Sequence, residues 1–111
     1  CPLNDQTRSM VDGNFIEGMK KGALLINTAR GLLVDESEVA AALHEGRLAG
    51  YAADVAGIEP PPTDFPLIEA PNSLLTPHIA WGTSAARQRL LNIAVENLES
   101  YVAGGRLNRL D

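Results

Sequence analysis

Two kinds of apolar run alternate along the chain. Ala23-Leu24-Leu25-Ile26-Asn27 is short, almost continuously apolar and bounded by turn-type residues. Leu48-Ala49-Gly50-Tyr51-Ala52-Ala53-Asp54-Val55 and Ser73-Leu74-Leu75-Thr76 read as a second and a third strand. Runs of this kind predict strands buried on both faces, as in a parallel sheet under helices. The other runs keep helical spacing. Asp12 caps a short predicted helix to about Lys20, with Gly22 as its C-terminal stop. Asp35 opens the next, Val39, Ala42 and Leu43 form its apolar face, and Gly46 ends it. Glu38, three positions after Asp35, makes the pair resemble a capping box. Thr83 or Ser84 starts the longest helix, which runs to about Ala103. Leu90 or Leu91, Ala94 or Val95, Leu98, and Tyr101 or Val102 keep to one face of it, and Gly104-Gly105 stops it.

The order is therefore helix, strand, helix, strand, loop, strand, helix. Such alternation with short connections implies an α/β fold in which crossover helices join parallel strands. Three strands are fewer than the five or more of a free-standing doubly wound sheet.

Composition narrows the function classes. The chain has 111 residues, 45% apolar and 21% charged, which suits one small globular domain. A net charge of −5 offers no basic footprint for nucleic acid and no attraction to an anionic membrane. No apolar run approaches the length that spans a bilayer, and no signal-peptide pattern is visible. Cys1 is the only cysteine, so neither an internal disulfide nor a cysteine-based zinc site is expected, and a cytoplasmic location is. The opening Cys1-Pro2-Leu3, without Met, reads as a piece of something longer.

Ligands of open parallel sheets bind beyond the C-terminal ends of the strands. Three strand ends deliver chemistry to that edge: Arg30 after the first, Asp54 and then Glu59 after the second, His78 after the third. A planar guanidinium at Arg30 can grip a carboxylate by two parallel hydrogen bonds, and Gly31 beside it lets backbone approach a ligand. Alone, Arg30 would read as a surface residue. Glu59 and His78 form a candidate acid–base pair, provided that they touch. Without that contact Glu59 is a solvated loop carboxylate and His78 a helix-entry residue. Asp54 either caps backbone N–H groups of the next turn or accepts a hydrogen bond from a ligand. Trp81 is read as core or as a ligand wall, His44 as surface, and Asp35 and Glu38 as capping residues.

These motifs, in this order, resemble the D-isomer-specific 2-hydroxy-acid dehydrogenase family. The matching stretches are Cys1-Pro2-Leu3, Thr7-Arg8, Met19 to Ala23, Ile26 to Gly31, Val34-Asp35-Glu36, Gly50 to Val55, Glu59-Pro60 and Thr76 to Ala80. The Glu59 to Pro62 and His78 to Trp81 wording is similar to the glycerate dehydrogenase and hydroxypyruvate reductase branch. The resemblance implies the second half of a Rossmann-type NAD(P)-binding domain over residues 1–82. It implies that 83–111 is a C-terminal helix and tail packing back toward an absent substrate domain, its apolar face partly exposed. It implies hydride transfer between NAD or NADP and a small 2-keto or 2-hydroxy acid such as hydroxypyruvate or glyoxylate, in a full-length homodimer. Arg30 would bind substrate, His78 would carry the proton, and Glu59 would pair with His78. Pro2, Thr7, Thr28, Ala29, Arg30, Asp54, His78 and Trp81 would contact the cofactor, Asp54 through the nicotinamide amide; no metal is implied. The alternative is a non-catalytic, dinucleotide-sensing module of the same fold. No G-x-G-x-x-G occurs in the chain, so the residues in hand are expected to be inactive alone.

Overall fold

The computed structural model describes residues 1–110, which divide into two compact units, Cys1–Ile79 and the segment from Ala80 onward. The first unit holds helix α1 (Gly13–Gly18), strand β1 (Ala23–Asn27), helix α2 (Glu36–His44) and strands β2 (Leu48–Ala53) and β3 (Ser73–Leu75). The second holds helix α3 (Ser84–Val102), preceded by a short 3-10 turn over Ala80–Gly82.

The strands form one parallel sheet in the order β1-β2-β3. Leu25 lies opposite Tyr51, Ile26 opposite Ala52 and Asn27 opposite Ala53, while Ala52 also faces Leu74 and Ala53 faces Leu75. This register sorts the side chains into two faces. Tyr51 and Ala53 sit in the core with Val39, Ala42 and Leu43 of α2, and Leu25 and Leu75 pack against them. Leu67 and Phe65, from the loop before β3, close the same core. The opposite face is bare: Leu24, Ile26 and Leu74 are 69%, 68% and 63% exposed. The expectation of strands buried on both faces is therefore corrected. A continuous apolar run shows that both faces favour cover, but the Cys1–Ile79 unit supplies a helical layer on one side only.

Local signals account for most helix ends. Asp12 accepts from the Phe15 N–H, and Asp35 accepts from the N–H groups of Ser37 and Glu38. Both satisfy donors that a helix start leaves without partners. Past α2, the Arg47 N–H donates to the Ala42 carbonyl and the Gly46 N–H to that of Leu43, with Gly46 left-handed. This is the paired closure for which a glycine is favoured. In the second unit Thr83 caps α3 and Gly104 ends it in the same way.

Two local readings differ. The capping box at Asp35 is incomplete, because the Asp35 N–H donates to the Val11 carbonyl rather than to Glu38. The first helix stops at Gly18, with Met19 already extended. Gly22, at φ +76°, belongs to the turn into β1, where a left-handed residue is also needed. The carbonyls at the end of α1 are met instead by Arg47, which donates to Glu17 and Met19.

Gly31 begins a 3-10 turn (Gly31–Leu33) after β1 and is buried. A Cβ there would stand 2.0 Å from the Ala56 carbonyl carbon and 2.2 Å from the Gly57 nitrogen. The glycine thus admits the loop that follows β2, not a ligand, which corrects the sequence reading of this position. Neither contacting atom can rotate away, since both are backbone. Gly31→Ala should destabilise the fold by about 1–3 kcal/mol, as overpacking does. A thermal unfolding midpoint unchanged from the parent sequence would contradict this close approach.

Candidate functional site at the strand ends

Beyond the last rung of the sheet the strand ends are tied to one another by side chains. Asn27 is buried, 7% exposed. Its side-chain carbonyl accepts the Ala29 N–H at 3.1 Å and its amide donates to the Arg30 carbonyl at 2.9 Å. That folds Thr28, Ala29 and Arg30 into a tight turn over the end of β1. The Asn27 carbonyl in turn accepts the Asp54 N–H.

Asp54, 6% exposed, lies just past β2. One carboxylate oxygen, Oδ1, accepts the Thr76 hydroxyl at 2.5 Å and the Ile79 N–H at 3.0 Å. These contacts cap the turn after β3 rather than the next turn after β2 that the sequence suggests, and they bind the end of β2 to the turn that carries His78. His78 has φ 55°, a left-handed conformation that a non-glycine residue holds only where its surroundings enforce it. Its own N–H donates to the Thr76 carbonyl, and the next N–H is the one held by Asp54. Sequence reasoning missed Asn27 and Thr76 as supports. The available signal was a polar residue at the end of each apolar run, a position favoured by side chain-to-backbone turns.

The loop after β2 brings Glu59 to His78. Glu59 Oε2 lies 2.8 Å from His78 Nδ1, and Glu59 Oε1 accepts the Ala56 N–H at 3.0 Å. The condition set by the sequence for paired chemistry, direct contact, is thus met. The imidazole hydrogen bond and then the Ala56 N–H hold the Glu59 carboxyl below its ordinary value, with smaller help from the charges of His78 and Arg30. A carboxylate so stabilised is ionised at neutral pH and accepts only. The shared proton is therefore assigned to Nδ1. Both side chains remain solvent-facing, 45% exposed for His78 and 40% for Glu59.

Arg30 is exposed, its guanidinium donating to the Ala29 carbonyl at 2.7 Å, and its charge is felt at Glu59. A cavity of about 410 Å³, a size that suits a small molecule, adjoins the pair. Its walls are mainly apolar, from Val55, Pro60, Pro61, Ile68, Leu75 and Pro77, and Glu59 and His78 also line it. Thr28 and Ala29 lie in the Arg30 turn. Pro2 and Thr7 lie in an N-terminal turn tied to the segment after β1 by the Ser9 N–H, which donates to the Leu32 carbonyl. The Thr7 hydroxyl serves that turn, donating to the Pro2 carbonyl and accepting the Asn4 N–H. Trp81, in the second unit, is 60% exposed, so the core reading of its ring is corrected. Among the described residues no three His, Cys, Asp or Glu side chains gather as a metal site, and no helix is long and apolar enough to cross a membrane.

A parallel sheet with charged residues at its strand ends is the architecture of nucleotide-binding α/β domains. Residues 1–80 match the family described as D-isomer specific 2-hydroxyacid dehydrogenase, NAD binding domain, and the chain belongs to that family. It is 40% identical to a hydroxypyruvate reductase of Blautia hydrogenotrophica over 97% of the chain and 34% of that protein. It is 43% identical to a glycerate dehydrogenase of Methylorubrum extorquens over 93% of the chain and 33% of that protein. Among solved structures, a D-isomer specific 2-hydroxyacid dehydrogenase of Xanthobacter autotrophicus Py2, crystallised with NADPH and MES, superposes at TM-score 0.83. The two are 37% identical, over all of this chain and 36% of that one. The fold is accordingly that of a Rossmann-type NAD-binding domain, and the chain spans about a third of the length of these relatives.

The lowered Glu59 value carries a sign. A depressed carboxyl contributes stability above its ordinary value, and the contribution is lost as pH falls through the depressed one. Carbon NMR of the Glu59 carboxyl should show a midpoint below 4.5. In His78→Ala that midpoint should move upward. If it stays in place, the 2.8 Å contact does not persist in solution.

Proposed function

We propose that the chain supplies the proton-handling and nicotinamide-facing part of an NAD(P)-dependent D-2-hydroxy-acid dehydrogenase. The single observation that carries this reading is the Glu59–His78 contact at the strand-end edge, with the Arg30 charge close enough to act on Glu59. The presence of Arg30, Glu59 and His78 together favours this reading over a module that only senses a dinucleotide.

The donor set fits a nicotinamide dinucleotide at this edge. The Thr28-Ala29-Arg30 turn offers backbone groups and a cation, and Asp54 offers a buried carboxylate held in place at the strand end. Pro2 and Thr7, tied beside the same segment, would border the bound molecule. When bound, the cofactor supplies or removes a hydride at the substrate carbon. Arg30 holds the carboxylate of a small 2-keto acid such as hydroxypyruvate or glyoxylate through parallel N–H donors. His78 gives a proton from Nε2 to the keto oxygen as it becomes a hydroxyl, and takes it back in the reverse direction. Glu59 keeps Nδ1 protonated and offers the imidazolium a counter-charge.

The whole protein is proposed to be longer than this chain, because the relatives are about three times its length and no glycine-rich phosphate loop occurs here. The segment 83–111 is proposed to pack against a substrate domain. Its long helix has no buried residue, and Leu90, Leu98 and Tyr101 are among its exposed apolar side chains. A homodimer and a cytoplasmic location belong to the same proposal.

The test is steady-state kinetics of the whole protein with hydroxypyruvate and glyoxylate, following oxidation of NADH and of NADPH separately. Loss of a positioned proton carrier costs about 10²–10⁴ in rate, and His78→Ala should lower kcat by that order. Arg30→Ala should raise the substrate KM as well. Unchanged kcat in His78→Ala would refute the assignment.

A further inference from the structure

Glu36 is the first residue of α2, where an acid favours a helix start. Its carboxylate is placed for something else. Oε1 accepts the Gly57 N–H at 2.7 Å, across 21 residues of chain. Oε2 lies so close to Gly57 that a Cβ there would come within 2.9 Å of it. The carboxylate is half-buried, and burial pushes its carboxyl above the ordinary value, opposed by the Gly57 hydrogen bond and reinforced by the Asp35 charge. A solvated helix-start acid would pay no such desolvation.

Gly57 is one residue from the group that orients Glu59. Ala56 gives its N–H to Glu59 Oε1, and its carbonyl packs on Gly31. The Ala56–Gly57 backbone is therefore held from two sides, by the bare face of Gly31 and by the Glu36 carboxylate. Glu59 hangs from it and reaches His78 with its other oxygen.

We propose that Glu36 is a positioning residue for the Glu59–His78 pair, anchoring the Ala56–Gly57 turn from which Glu59 meets the imidazole. The catalytic consequence rests on the reading of His78 as the proton carrier; the anchor does not.

Two substitutions separate reach from charge. Glu36→Gln loses the charge but keeps a side-chain oxygen at the same reach, able to accept the Gly57 N–H. Glu36→Asp keeps the charge favoured at a helix start but is one methylene too short. The first readout is the carboxyl titration of Glu59 in the whole protein, by carbon NMR. It should stay low in Glu36→Gln and rise toward the ordinary carboxylate range in Glu36→Asp. The second is kinetics of the whole protein. Misplacement of about 1 Å costs up to ~10²-fold, so Glu36→Asp should lose about tenfold to a hundredfold in kcat with cofactor KM little changed. Glu36→Gln should retain the parent kcat. A Glu36→Asp variant with the parent titration overturns the proposal and leaves Glu36 a helix-start charge. So does a Glu36→Gln variant whose Glu59 titration shifts upward. If the parent protein reduces no 2-keto acid, the proposed function fails, while the titration still decides the anchor.

Discussion

Parallel strands that end at one edge leave backbone groups there with no next rung to pair with, and a buried group without a partner is costly. Asn27 and Asp54 resolve that constraint at the ends of β1 and β2. Asn27 closes its own turn with both ends of its amide and receives the Asp54 N–H on its carbonyl. Asp54 then gathers the Thr76 hydroxyl and the Ile79 N–H on a single oxygen. A continuous line of hydrogen bonds crosses the three strand ends, and the turns that carry Arg30 and His78 stand on it. Remove the Asp54 carboxylate and the turn at His78 loses the contact that compensates its left-handed backbone.

Two carboxylates near the same edge thus come to opposite uses through their surroundings. Asp54 is buried and committed to backbone and hydroxyl donors, so its charge stabilises geometry. Glu59 is solvent-facing and committed to an imidazole, so its charge bears on a group that can exchange protons. Its loop is held where the Ala56–Gly57 backbone fits against a residue with no side chain. The Gly31 contact and the His78 contact are therefore linked through only a few residues of loop.

Much of this was legible in the sequence, and the boundary follows the range of the interactions. Asp12, Asp35 and Thr83 cap helices through bonds that reach two or three residues, so a local pattern contains the whole cause. The three strands and their parallel order followed from run length and alternation. Arg30, Glu59 and His78 stood out because each follows a different strand. Gly31 was misread because its partner is the Ala56 backbone, which no local pattern near Gly31 names. Asn27, Thr76 and Glu36 were overlooked as supports for related reasons, two of them having partners more than twenty residues away. The burial of β1 on both faces failed differently. Apolar continuity records what a strand favours, whereas the exposure of Leu24 and Ile26 records what the surrounding residues provide.

The exposure of the pair bears on how the proposed chemistry would be completed. An imidazole and a carboxylate both facing water interact in a high dielectric, where charge stabilisation is weak, and water competes for every donor. Proton transfer to a keto oxygen gains most from these groups when solvent is excluded. One side of the pair already has an apolar wall in Pro60, Pro61, Leu75 and Pro77. The uncovered sheet face and the exposed pair are both places where further cover would be favourable. Relatives three times as long have the residues to provide it. With such cover the strand-end network would keep the pair in geometry while the dielectric around it fell.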